Sequence, residues 1–146
     1  QNYQVIHLTG LLDWEKVQEA TQNAGDRYHA FPYLHEMGAA LAAADLAVSR
    51  AGASTLGEYP FFGLPAILVP YPYAWRYQKV NADCLVEREA AVLLRDEDLQ
   101  SQLLSTIKEV LSDPQQLARM SRNMRSLSRP LAAERIAELL CEMAKA

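Results

Sequence analysis

Short runs of strand-forming apolar residues alternate with helical stretches along the chain, and that alternation predicts its elements. Strands are expected at Gln4–Leu8, Arg27–Phe31, Leu46–Ser49, Ala66–Val69 and Ala91–Leu94. Helices are expected at Asp13–Asn23, His35–Ala43, Thr55–Phe62, Tyr77–Glu87, Asp98–Leu111, Pro114–Leu127 and Pro130–Ala144. Strands separated by helices of this length make βαβ units and hence a parallel sheet. The strands are continuous apolar runs, as expected when helices cover both faces of a sheet. The predicted class is therefore α/β, a Rossmann-like parallel sheet with helices on both faces. The last three helices follow one another without a strand between them, which puts them on or beside the sheet.

Proline, glycine and aspartate agree with these boundaries. Gly63 and Pro65 end one helix and open the next strand. Pro114 and Pro130 stand where a first helical turn begins, and Asp113 is placed to cap the helix after it. Pro60 falls inside a predicted helix, where it removes a hydrogen bond and should bend or shorten the element.

Composition narrows the function. The chain has 146 residues, which suits a single domain over residues 1–146 with a core of its own. A formal net charge of −4 leaves no basic field for nucleic acid, so no nucleic-acid partner is expected. Cys84 and Cys141 lie far apart in helical segments without metal-ligand spacing and read as reduced cytosolic thiols. No run is long enough to span a membrane, and no signal peptide is visible. The sequence opens at Gln1 without Met and enters a strand almost at once, which suggests a piece of a longer protein.

Three segments carry chemistry. The first, Ser49 to Glu58 (SRAGASTLGE), follows a strand and opens a helix. Small residues there let a ligand approach the backbone, and amides of a helix's first turn favour an anion such as a diphosphate. Such a loop lies at the carboxyl ends of the strands, where open α/β sheets bind ligands. Two readings of Glu58 stand side by side: an acceptor for the two hydroxyls of a ribose, or the partner of Thr55 in a capping box. The second segment is Pro70 to Ala82, in which Gln78 and Asn81 share a helical face. Their neutral amides suit sugar hydroxyls, although a solvated polar face explains the same spacing. The third, Phe31 to Met37, leaves a strand and enters a helix. It offers backbone groups to the edge of a base, or is simply a buried Phe–Pro turn.

Taken together and in this order, QVIHLTG, FPYLHEMGAALAAADLAVSRAGASTLGE, GLPAILVPYPYAWRYQKVNA and LVEREAAVLL resemble the MurG family of glycosyltransferases over essentially the whole chain. The resemblance implies the C-terminal half of a GT-B fold, which binds UDP-N-acetylglucosamine, with its first strand-helix unit and the N-terminal acceptor domain lacking here. It implies that Tyr33 and Leu34 meet the uracil and that Glu58 holds the ribose. Ala53, Ser54 and Thr55 would cradle the diphosphate, and Gln78 and Asn81 would read the sugar. Arg50 shares the loop and suits a structural role equally well. The sequence departs from the family at Tyr77, where His or Gln is usual before Gln78, at Pro60, where Ala is common, and at Leu8.

The implied reaction of the parent enzyme is inverting transfer of N-acetylglucosamine from UDP-N-acetylglucosamine to lipid I, forming lipid II for peptidoglycan. No cofactor or metal is expected, because no Asp-x-Asp pair lies near these loops. The Asp96-Glu97-Asp98 run is downstream and reads as a helix start. No catalytic residue is assigned to this chain, which alone should be inactive. The lipid acceptor and the cytoplasmic face of the membrane would be met through the missing domain, and the lone chain should self-associate or be locally disordered. Two alternatives remain at this stage. One is a UDP-sugar-binding subunit of a split transferase; the other is a related GT-B enzyme, such as a UDP-sugar epimerase or a diacylglycerol glycosyltransferase. Arg119, Arg122, Arg125 and Arg129 form a basic stripe that reads as a solvated helix face, with anionic lipid as the other reading.

Overall fold

A computed structural model describes residues 3–144, apart from the side chains of Ala74 and Trp75. It contains two compact units, residues 1–43 and 44–146. The first unit holds β1 (Val5–Leu8), α1 (Trp14–Ala20), β2 (Tyr28–Phe31) and α2 (Met37–Ala43). The second holds β3 (Ala47–Ser49), α3 (Thr55–Phe62), β4 (Ala66–Leu68), α4 (Trp75–Val86), β5 (Ala91–Leu93), α5 (Leu99–Ser112), α6 (Pro114–Ser126) and α7 (Ala132–Met143). All pairing is parallel, with β1 against β2 in one group and the order β3-β4-β5 in the other. The α/β class is as predicted, and α5, α6 and α7 follow one another with no strand between them.

The second unit shows why the apolar runs become strands. Every residue of β4 is buried, and Ile67 pairs with Val48 on one side and Val92 on the other. Ile67, Val69 and Leu94 form a buried cluster, covered by Leu46, Val92, Leu99, Leu103 and Ile107. The prediction that the strands are covered on both faces fails for β1, whose Val5, Ile6 and Leu8 are exposed. Among the described residues β1 pairs with β2 alone.

Several helix ends differ from expectation for local reasons. Helix α1 stops at Ala20, before the predicted Asn23, where the Thr21 hydroxyl bonds back to the Val17 carbonyl. Helix α2 starts at Met37 and not at His35, because the chain after Phe31 is irregular. Helix α4 starts at Trp75, before the predicted Tyr77, from a 3₁₀ turn at Pro72–Ala74. Helix α7 starts at Ala132 with Leu131 as its N-cap, so Pro130 is not in its first turn. Helix α6 starts as predicted: the Asp113 carboxylate accepts from the amides of Gln115 (2.9 Å) and Gln116 (3.0 Å).

Pro60 does not stop α3, which runs two residues further to Phe62. The helix closes at Gly63, whose φ of 64° is left-handed, with the Leu64 amide bonded to the Tyr59 carbonyl. From α6, Ser121 donates to the Gly63 carbonyl (2.7 Å) and Arg125 to the Phe62 carbonyl (2.9 Å). Part of the predicted basic stripe is thus a cap for another helix. A Cβ on Gly63 would sit 2.8 Å from Arg125 Nε. Gly63→Ala is expected to lower stability by about 1–2 kcal/mol, from the left-handed backbone and the displaced guanidinium. A urea titration followed by circular dichroism would check it, and an unchanged midpoint would contradict it.

Candidate functional site

In the second unit the chain leaves β3 into Arg50–Ser54, β4 into Val69–Tyr71, and β5 into Leu94–Arg95. These exits lie at the carboxyl edge of three adjacent parallel strands, where an open α/β sheet accommodates ligands.

The loop after β3 is held by its neighbours. Ala51 is fully buried, and its carbonyl accepts from Asn81 Nδ2 of α4 at 3.0 Å. The Gly52 carbonyl accepts twice from Thr55, from its amide at 3.2 Å and its hydroxyl at 2.7 Å. The amides of Leu56 and Gly57 turn back to Ala53 and Ser54. Free first-turn amides were expected on α3, but these tight turns consume those of Thr55, Leu56 and Gly57. Among the described residues, the amides of Gly52, Ala53 and Ser54 have no partner. The unpaired amides therefore precede the first turn of α3, where they were expected. Successive unpaired amides ahead of a helix are donors of the kind that suit an anion.

The same turns dispose of the capping box. Thr55 is the first helical residue, its hydroxyl is committed to Gly52, and Ser54 as N-cap makes no side-chain cap bond. Glu58 is exposed, and its carboxylate has no hydrogen-bond or ion-pair partner among the described residues. Beside it, Tyr59 is buried and donates to Ser49 Oγ at 2.8 Å, tying α3 to the end of β3. Burial raises the Tyr59 pKa, the Ser49 bond opposes the rise, and the charge of Glu58 adds to it. Tyr59 thus remains the protonated donor that this tie needs.

The second predicted segment reaches the same strand ends. Gln78 Oε1 accepts from the Tyr71 amide at 2.8 Å. Because a backbone N–H can only donate, this fixes which way the Gln78 amide faces and leaves its NH₂ unspent. Asn81 is the converse: its NH₂ holds Ala51 and its oxygen is left over. Tyr73 and Tyr77 are exposed nearby in sequence, and the Tyr71 and Tyr73 rings stand 5.4 Å apart.

The structure also brings in residues that the sequence reading set aside. Arg50 pairs with Asp96, donates to the Val69 carbonyl at 3.3 Å and lies 5.2 Å from the centroid of the Tyr71 ring. The Asp96–Asp98 run does begin a helical segment, as a 3₁₀ turn, but it is not remote from the loops: Asp96 touches the one after β3. Only the parallel order β3-β4-β5 could have revealed this, since 46 residues separate the partners.

The third predicted segment belongs to the first unit. Tyr33 and Leu34 lie between β2 and α2, Tyr33 66% exposed with its ring edge-on to His35 at 4.9 Å, and Leu34 half-buried. The segment is not the buried Phe–Pro turn that the sequence allowed: Phe31 is 37% exposed.

Residues 1–136 match the family described as Glycosyltransferase family 28 C-terminal domain. Among curated relatives, the UDP-N-acetylglucosamine--N-acetylmuramyl-(pentapeptide) pyrophosphoryl-undecaprenol N-acetylglucosamine transferase of Desulforamulus reducens is 39% identical over 90% of this chain and 38% of its own length. The protein of the same name from Bacillus subtilis is 36% identical over 99% of this chain and 41% of its own. The crystal structure of Acinetobacter baumannii MurG superposes with a TM-score of 0.83 at 27% identity, covering 95% of this chain and 43% of that one. The chain thus spans about two fifths of the length of these relatives.

Proposed function

The chain belongs to the glycosyltransferase family 28 C-terminal domain family, and from that premise we propose that it is the donor-binding part of an N-acetylglucosaminyltransferase. The donor is UDP-N-acetylglucosamine and the acceptor is the undecaprenyl-diphosphate muramyl-pentapeptide, as in the names of its relatives. One observation carries the reading: among the described residues, three unpaired amides at Gly52–Ser54 precede a helix whose first turn presents an unpartnered carboxylate, Glu58. Amides fixed in advance suit a diphosphate, above all as charge builds on it when the glycosidic bond breaks. A carboxylate without a protein partner suits the two ribose hydroxyls, each donating to it. Ala53 supplies no bulk, Ser54 adds a free hydroxyl, and Thr55 shapes the turn by holding Gly52.

Gln78 would read sugar hydroxyls with its remaining NH₂, and Asn81 with its oxygen. This chain's share of the reaction is to bind and orient the donor and to stabilise the departing UDP. Acceptor recognition and proton removal are assigned to the part of the relatives that this chain does not match. Among the described residues no helix is long and apolar enough to cross a membrane. The proposed location is the cytoplasmic face of the bacterial membrane, held there peripherally by that other part.

Calorimetric titration with UDP tests the reading, and Gly52→Ala makes the test specific. A Cβ at Gly52 meets no protein atom within 4 Å, so the fold should tolerate it. The methyl group would project beside the amides that the diphosphate must approach, and affinity should fall roughly 3- to 10-fold. Unchanged affinity in a folded variant would remove the diphosphate from this loop.

A further inference from the structure

The loop that carries the free amides is braced by Thr55, Asn81 and Arg50, and the donor reading uses only the first two. Asn81 holds the Ala51 carbonyl from α4. The third brace is Arg50. Its guanidinium contacts the Val69 carbonyl and the Tyr71 ring after β4, and the Asp96 carboxylate after β5. One side chain rooted after β3 therefore joins the exits of all three strands, and among the described residues Asp96 is its only anionic partner.

We propose that Asp96 is a positioning residue for the donor. By holding the Arg50 guanidinium across the strand ends, it fixes Arg50–Ser54 in the conformation that aims the Gly52, Ala53 and Ser54 amides at a diphosphate. The ligand in this statement rests on the donor reading above; the brace itself does not. Asp96 also neutralises the cation nearest the loop, so anion affinity there depends on amide geometry more than on Arg50's charge. The pair contributes little to global stability, because its side chains are 44% and 35% exposed. Its effect should therefore appear in the loop and not in the melting temperature.

Asp96→Asn gives a test in which the two simplest expectations have opposite signs. If Asp96 is merely a negative charge near an anion site, removing it relieves repulsion and UDP binds more tightly. If Asp96 positions the loop, UDP binds more weakly, by roughly 3- to 10-fold. The melting temperature of the full chain should move by less than about 4 °C. Asp96→Glu keeps the carboxylate and should restore much of the affinity. A readout without ligand accompanies this: the ¹H–¹⁵N signals of Gly52, Ala53 and Ser54 should shift or broaden in Asp96→Asn, while those of Ala66–Leu68 stay in place. Undisturbed loop amides, or UDP affinity equal to or above wild type, overturn the proposal. Disturbed amides in a protein whose wild type ignores UDP support the brace and overturn the donor reading instead.

Discussion

Glu58→Ala is expected to weaken UDP binding roughly 10- to 100-fold, the largest loss of any single site substitution in this chain. The magnitude follows from two hydrogen bonds to a charged acceptor, each stronger than a neutral pair. Part of that gain is offset, because a carboxylate near a diphosphate also repels it, so the measured loss is a net value. Folding should suffer little. The Glu58 carboxylate is exposed and bonds to nothing among the described residues. Its one structural contribution is a negative charge in the first turn of α3, worth about 0.3–1 kcal/mol. A ligand control separates the ribose role from a general electrostatic one: 2′,3′-dideoxy-UDP lacks both hydroxyls. Calorimetry should find that Glu58→Ala no longer weakens binding of that ligand. Equal losses for UDP and its dideoxy analogue would mean that Glu58 does not meet the diol, and the ribose assignment would fall.

What the sequence revealed depended on how far apart the interacting groups lie along the chain. Asp113 capping α6 and Gly63 closing α3 are decided within four residues, and both were legible. Local competition defeated the capping-box reading of Thr55 and Glu58. The Gly52 carbonyl stands three residues before Thr55 and takes its hydroxyl, a contact that residue type and spacing do not distinguish from a cap. The same turn ties up the first-turn amides of α3, so the unpaired amides are those of Gly52–Ser54, ahead of the helix. Nothing local marks the partnership of Arg50 with Asp96, or the use of Arg125 as a cap for a helix 63 residues away. A run of arginines on one helix looks solvated until the neighbouring carbonyls are known. Burial was similarly unequal: AILV in β4 and QVIHL at β1 read alike, yet only the strand with neighbours on both sides is fully buried.

That inequality underlies the second large effect, on stability. Ile67→Ala is expected to cost about 2–5 kcal/mol, at the upper end for an aliphatic truncation. Ile67 has no exposed surface and sits at the centre of β4, between Val48 of β3 and Val92 of β5. Its neighbours in the cluster lie on the strands, immediately beside them or on the covering helix α5, and backbone hydrogen bonds such as Val69 to Ser49 and Leu94 to Leu68 resist their collapse into the space left behind. For a domain whose whole stability is about 5–15 kcal/mol, the change is a large fraction. The control is Val5→Ala in β1: Val5 is 40% exposed, and its truncation should cost less than about 1 kcal/mol. Urea titrations should show a midpoint shift for Ile67→Ala several times that for Val5→Ala, with similar slopes. Similar midpoints would mean that β4 is not the core of its unit. The consequence extends to the site, because Val69 and Tyr71, the β4-side contacts of Arg50, follow directly from this strand. If Ile67→Ala remains folded, UDP at 100 times the wild-type dissociation constant should restore about 2.7 kcal/mol, as it would in wild type. A smaller recovery would show that the cavity loosens the strand ends as well as the core, and so that loop geometry and core packing are one cooperative arrangement.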